Sequence, residues 1–195
     1  RWNLWGDCPN PYDYDALAAA LIPNEGKADP FWNNAARKVL SSAAMEFQRR
    51  KREDLQALLE ILTVAPLEDL HRFLNRTQAG PLLDPASEKT AVSVRSNVAS
   101  YVSALHYLPE TGEPFGLRNW ARNGADGQWV FLNAADDQLQ SVRPLLSMWL
   151  EILTNALLSL PESRTRRIWL VIDELPALQT IPSLEHFLAR ARKHG

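Results

Sequence analysis

Residues 167–174, Arg-Ile-Trp-Leu-Val-Ile-Asp-Glu, constrain the fold more than any other stretch. The five apolar residues Ile168 to Ile172 are mostly β-branched or aromatic, and a run of this length reads as a strand buried on both faces of a parallel sheet. Two carboxylates, Asp173 and Glu174, follow at its C-terminal end. In an open α/β sheet that end faces the ligand crevice. An acidic pair there has the form of a Walker B motif: Asp173 would hold Mg2+, through water, and Glu174 would polarise the attacking water in nucleotide hydrolysis. The same residues also fit a plain buried strand running into an acidic loop, because Asp-Glu is a good helix-start pair.

Upstream, the pattern is helical. Residues 1–28 read as irregular around a short apolar helix near 13–21. Asp29-Pro30 marks a helix start, with Asp as N-cap and Pro at the first helical position. Trp32, Ala35, Ala36, Val39, Leu40, Ala43 and Phe47 then recur at helical spacing to about residue 50. Two shorter helices are expected near 53–63 and 66–76, then a loop over 77–85, then the longest helix from about 86 to 108. Ser93, Ser96, Ser100 and Ser103 line one side of that helix and read as close packing or solvent contact. After a short helix near 114–123 the pattern changes. Residues 127–133, Gly-Gln-Trp-Val-Phe-Leu-Asn, form a second strand candidate, and a helix over about 138–160 separates it from the acidic strand. Strand, helix, strand, helix at this spacing is a parallel α/β unit.

Two basic runs close helices. Arg49-Arg50-Lys51-Arg52 ends the helix that starts at Pro30. Cations suit a helix C-terminus, so the run reads either as a solvated helix end or as a contact to DNA phosphates or a partner. Leu175 to Pro182 reads as a loop; Ser183 is placed to cap the following helix, which would bury Leu184, Phe187, Leu188 and Ala191. Its last turn carries Arg190, Arg192 and Lys193. These cations either match the helix dipole or present an arginine to a neighbouring subunit's phosphates.

The totals bound the rest. A chain of 195 residues can bury a real core in one domain or two small ones. A net charge of −2 gives no global argument for nucleic acid, so any such argument rests on local patches. Cys8, the only cysteine, excludes disulfide frameworks and cysteine-rich metal sites. The four histidines (71, 106, 186 and 194) show no metal-ligand spacing. No apolar run reaches the roughly 18 residues of a membrane span, and a soluble piece is expected. With only eight glycines, the chain has no GxxxxGK[ST] phosphate loop, which a complete P-loop enzyme needs. It begins at Arg1 rather than Met and stops just after a helix, so a segment of a longer protein is expected.

Taken together, residues 169–178 (Trp-Leu-Val-Ile-Asp-Glu-Leu-Pro-Ala-Leu), 181–184 (Ile-Pro-Ser-Leu) and 189–195 (Ala-Arg-Ala-Arg-Lys-His-Gly) resemble the type IV secretion coupling proteins, the TraD/TrwB-like conjugative DNA-transfer ATPases. The resemblance runs in order along nearly the whole chain. It takes in Trp2 to Trp5, Leu21 to Pro23, Asp29 to Trp32, Ala35 to Arg37, Glu88 to Arg95 with Tyr101, Tyr107 and Leu108, and Pro144 with Ser147 to Leu150.

The resemblance implies a mixed α and α/β fold, an all-α inserted domain followed by part of a RecA-like parallel-sheet nucleotide-binding domain. Residues 1–12 would be the tail end of a nucleotide-binding segment, 13–118 the all-α domain, and 119–195 the partial RecA-like domain with Walker B. It further implies ATP and Mg2+ as cofactors of the complete protein, with Asp173 for Mg2+, Glu174 as catalytic base and Arg192 as an arginine finger acting in trans. The implied partners are DNA, relaxase and relaxosome proteins, channel components and five further copies in a hexamer. The implied location is the cytoplasmic face of the bacterial inner membrane. The phosphate loop and membrane helices would precede Arg1, so the segment alone is expected not to hydrolyse ATP, and residues 127–195 to have uncovered sheet edges. The alternative is a non-catalytic helical module that binds relaxosome proteins or DNA, in which the two carboxylates are structural.

Overall fold

The computed structural model describes residues 1–24, 29–124 and 127–195, so the last four positions of the expected irregular stretch lie outside the described residues. The expected start at Asp29-Pro30 is present. The Asp29 carboxylate accepts the Phe31 N–H at 2.9 Å, and α3 (Pro30–Arg49) follows. Its stripe of Ala35, Ala36, Val39, Leu40, Ala43 and Phe47 is buried against α2 (Pro11–Leu21) and α6 (Glu88–Val102). Trp32, expected in that stripe, instead lies at the partly open entry of the helix, edge-on to Phe31.

α4 (Leu55–Thr63) and α5 (Leu67–Leu74) complete this half with Leu58, Leu59, Leu62, Leu70 and Leu74 fully buried. The chain turns after α5 at Gly80, where a Cβ would come within 2.7 Å of the Asn75 carbonyl oxygen, so only glycine fits. α6 is shorter than its periodic pattern. A 3-10 turn at Pro85–Ser87, capped by Asp84, precedes it, and a second at Ser103–Tyr107 ends it. Its serine side faces solvent, with Ser93, Ser100 and Ser103 bonded back to their own helix.

The first residues belong to the middle of the chain. α1 (Leu4–Asp7) ends in a buried aspartate whose two oxygens accept the N–H groups of Leu117 (3.1 Å) and Arg118 (2.8 Å), the opening residues of α7 (Leu117–Asn123). Trp2 Nε1 donates to the same carboxylate at 2.7 Å. Burial pushes the Asp7 carboxyl above its ordinary range, while these donors and Arg118 pull it back. Arg118 also reaches Asp13 at 2.8 Å in a buried ion pair.

α8 (Leu139–Leu158) organises the second half and is buried on nearly every side. Leu145, Met148 and Ile152 join the large core of α2, α3 and α6. Leu153, Ala156 and Leu157 join a smaller cluster with Ala121 and Leu160.

The expected sheet differs from what the described residues form: no strand occurs among them, and the one bridge, Trp2 with Phe115, is isolated. Residues 128–133 and 166–172 run outside any helix, each lying along the α8 core by alternate side chains. Val130 and Leu132 rest on the large core, and Ile168 and Leu170 on the small one. Their neighbours Trp129, Phe131, Trp169 and Val171 are 71%, 77%, 81% and 78% exposed. Burial on both faces, as expected for 168–172, is therefore replaced by burial on one. The physical reason is that only the helical side supplies a covering layer, and no adjacent strand among the described residues offers ladder partners.

α9 (Pro182–Arg190) starts one residue before its expected cap. Pro182 occupies the first turn, and Ser183 is turned inwards to α8 instead of capping its own helix. Leu184 and Phe187 are half-buried, but Leu188, expected in the same face, is exposed, because the small cluster covers only one side of α9.

Candidate nucleotide site

Three polar side chains on one stripe of α8 fasten the segment that follows the acidic pair. Arg143 donates to the Leu178 carbonyl at 2.8 Å, and Ser147 Oγ accepts the Gln179 N–H at 2.8 Å. Glu151 Oε2 accepts both the N–H (2.9 Å) and the hydroxyl (2.6 Å) of Ser183. Thr154 Oγ1 lies 2.5 Å from the same hydroxyl, and Asn155 holds the other Glu151 oxygen at 2.9 Å. Spacing of four residues puts Arg143, Ser147 and Glu151 one above another on a helix, so their three partners are held in order along it. Sequence reasoning passed over this stripe. The signal was an Arg, a Ser and a Glu at four-residue spacing within the otherwise apolar stretch 143–151.

The acidic pair itself is exposed. Asp173 lies at a bend, and Glu174 opens the 3-10 turn Leu175–Ala177. Neither carboxylate is engaged by a hydrogen bond or ion pair among the described residues, so all their lone pairs are available. No group of three or more His, Cys, Asp or Glu able to hold a metal by itself occurs among the described residues. The pair therefore suits a hard cation such as Mg2+ that takes one carboxylate and draws its other ligands from water and phosphate.

Arg192 stands at the other end of α9, in the exposed 3-10 turn Ala191–Lys193. Its neighbours Lys193 and Gly195 lie against Ser163 and Arg166, at the start of the extended segment 166–172, whereas the acids follow the far end of that segment. The acids and Arg192 thus do not converge within one copy. Arg192 instead borders a cleft with Glu162, Arg164, Arg167 and Lys193.

The first basic run forms the terminating turn of α3. Arg52 N–H reaches the Phe47 carbonyl at 3.0 Å and Lys51 N–H the Gln48 carbonyl at 2.8 Å, with Lys51 itself left-handed at φ 56°. That is a Schellman end with lysine where glycine is usual. Arg49 and Arg50 both bond Glu46, whose carboxyl is held down at about 2, chiefly by its hydrogen bonds to Arg49. Arg50 covers the Phe73 ring at 4.4 Å and Arg52 the Phe47 ring at 5.5 Å. Only Lys51 of the four is left unengaged among the described residues. Cys8 is buried and its thiol pushed far up by desolvation, so it is inert. No described helix is long and apolar enough to cross a membrane.

The family model of the type IV secretion-system coupling protein DNA-binding domain matches residues 1–195. The coupling protein TraD of Escherichia coli (strain K12) is 36% identical over 200 residues, which cover 100% of this chain and 28% of TraD. Among solved structures, the unbound monoclinic form of the bacterial conjugative coupling protein TrwBdeltaN70 aligns with 98% of this chain and 45% of its own, at 29% identity and a TM-score of 0.84. TrwB in complex with ADP and Mg2+ aligns with 95% of this chain and 45% of its own, at 29% identity and a TM-score of 0.82. This chain therefore spans little more than a quarter of TraD and under half of TrwB. Matched from its first residue to its last, and in a fold held around α8 as described, the chain belongs to the family of type IV secretion-system coupling proteins.

Proposed function

We propose that the chain is the central segment of a hexameric, ATP-driven translocase that moves DNA with its attached relaxase towards a type IV secretion channel. Residues 1–12 then close one nucleotide-binding segment, 13–118 form the all-α domain, and 119–195 contribute part of a RecA-like sheet. The two extended segments, each packed on one side only, are what such a sheet would use once further strands lie beside them. The observation that carries the reading is the likeness to TrwB in complex with ADP and Mg2+, a TM-score of 0.82, in a chain whose acidic pair is free of other partners.

In this reading, Mg2+ with ATP supplies the transferable phosphoryl group and part of its charge neutralisation. Asp173 would hold the Mg2+ through water. Glu174 takes a proton from the attacking water. Arg192, at the opposite end of the extended segment from the acids, offers its N–H donors to the nucleotide of a neighbouring copy, which explains why it does not approach its own acids. Arg49 to Arg52 form the DNA or partner contact of the all-α domain. The longer protein is anchored at the bacterial inner membrane with this segment on the cytoplasmic face. The segment by itself does not turn over ATP, because it carries no phosphate loop.

A second reading is a non-catalytic helical module that binds DNA or relaxosome proteins. One observation favours it: the matching family model describes a DNA-binding domain. ATP turnover by the longer protein, with single-stranded DNA, separates the two. Glu174→Gln is expected to abolish DNA-stimulated turnover while ATP still binds. Turnover unchanged by the substitution, or absent in the unsubstituted protein, leaves the helical module.

A further inference from the structure

The cleft beside Arg192 is more cationic than a single arginine finger requires. Residues 160–167 and 189–195 together carry Arg164, Arg166, Arg167, Arg190, Arg192 and Lys193 against one side-chain carboxylate, Glu162, in a chain of net charge −2. Two hydrogen bonds hold these segments together. Ser163 N–H donates to the Lys193 carbonyl at 2.9 Å, and His194 Nδ1–H donates to the Leu160 carbonyl at 2.6 Å. Arg166 and Thr165 N–H groups close on Ser163 Oγ at 3.0 and 3.3 Å, which shapes the loop before the extended segment.

The outcome is a cleft of about 870 Å3 with Arg164, Arg167, Arg192 and Lys193 on its walls. Neutralisation inside it is slight. Lys193 approaches Glu162 only at 3.9 Å, with both ends exposed. Arg167 leans on the carbonyls of Arg164 and Arg166 through one nitrogen and keeps its other donors. The side chains of Arg164 and Arg192 have no ion-pair partner among the described residues. Like charges collected this closely repel one another, and a compact polyanion relieves that repulsion.

We propose that this cleft binds the phosphate chain of a nucleotide held by a neighbouring copy of the protein, with Arg164, Arg167 and Lys193 acting beside Arg192. The proposal deepens the motor reading, on which the neighbouring copy rests. The cleft's size and lining favour an oligophosphate over DNA. Grooves that follow single-stranded DNA pair their cations with aromatic platforms, whereas no aromatic ring lines this cleft. Its volume lies within the range of small-molecule sites. Arginine's fork of donors also matches several phosphate oxygens at once.

The test is isothermal titration of the full chain with sodium tripolyphosphate, which needs neither hydrolysis nor a hexamer. Arg164→Ala and Arg167→Ala are each expected to weaken binding about tenfold, like Arg192→Ala. Arg72→Ala, distant in the chain and paired with Asp69, is expected to leave it unchanged. Glu162→Gln removes the opposing charge and is expected to tighten binding, which guards against a loss caused by poor folding. Tripolyphosphate affinity that is immeasurable, or indifferent to Arg164 and Arg167, overturns the proposal. So does displacement by a dT20 oligonucleotide whose own affinity depends on the same residues, which would make the cleft a nucleic-acid surface. The two ideas fail separately: absent ATP turnover in the longer protein removes the motor reading and leaves the anion site, and absent tripolyphosphate binding does the reverse.

Discussion

Glu151 in the middle of α8 receives both the backbone N–H and the hydroxyl of Ser183, at 2.9 and 2.6 Å, and so caps α9 from another helix. A carboxylate at a helix N-terminus satisfies an orphan donor and interacts favourably with the helix dipole. Here it also sets where α9 lies, and with it both the acidic pair before the helix and Arg192 beyond it. Glu151→Ala strands the Ser183 N–H in a buried site and is expected to cost about 2–4 kcal/mol, whereas Glu151→Gln keeps an acceptor and costs about 1 kcal/mol. Urea unfolding followed by circular dichroism measures both. Equal losses for the two substitutions would show that the bond to Ser183 is not what matters.

The acid limb of stability depends on Glu46. Its carboxyl is held at about 2 against an ordinary 4.5, with the hydrogen bonds to Arg49 the leading cause. For a depressed carboxyl the stabilisation is complete above the unfolded value and is lost as pH falls through the folded one. The window is therefore from about 4.5 down to about 2. Across it, Glu46→Gln is expected to flatten the fall of unfolding free energy with pH, by up to one proton's worth of slope. Chemical denaturation at several pH values within the window reads this directly; parallel slopes for the two proteins would rule the contribution out.

The helical half was legible because its cues are local. Asp29-Pro30 fixes the start of α3, and the apolar spacing from Ala35 to Phe47 fixes its buried face. What sequence could not supply was contact at a distance. Asp7 is 110 residues from Leu117, and nothing near either one signals that the first caps the helix of the second. Ser183 shows the opposite failure, since its position one residue inside a helix suggested a cap that Pro182 and Glu151 made unnecessary. The stretch 168–172 reads as a strand buried on both faces, yet it is covered on one face only, because an apolar run gives no information on which of its faces has a neighbour. Of the candidate site, the acidic pair came from the motif and Arg192 from the family resemblance; the stripe of Arg143, Ser147 and Glu151 that holds the connecting segment came from neither.

Trp129, Phe131, Trp169 and Val171 are exposed, and this chain is expected to self-associate through them. Trp129 and Phe131 stack on one another with ring centroids 6.1 Å apart, which presents a flat apolar face to solvent. Unpaired extended segments with such faces invite intermolecular pairing. Trp129→Ser with Trp169→Ser is expected to lower light scattering at high protein concentration while changing unfolding free energy by less than about 0.5 kcal/mol, as surface substitutions usually do. Leu170→Ala, on the packed side, is expected to cost about 2 kcal/mol because it empties part of the small cluster. A large stability loss from the tryptophan changes would mean that those rings are covered in solution.

Lys51 links the fold of the basic turn to what the turn can bind. Its φ of 56° is a conformation that glycine takes more readily, so Lys51→Gly is expected to stabilise α3 by a few tenths to about 1 kcal/mol. The same change removes the one cation of the run that no carboxylate or ring already engages. If the turn contacts DNA phosphates, the logarithm of affinity should fall steeply with the logarithm of salt, and Lys51→Gly should lower that slope by about one. Arg50→Gln, by contrast, breaks the bond to Glu46 and the cover over Phe73, and so is expected to lower stability as well as affinity. Fluorescence anisotropy of a labelled oligonucleotide at several salt concentrations, read beside thermal unfolding, distinguishes these effects. A protein stabilised by Lys51→Gly with an unchanged salt slope would assign the run to helix termination alone.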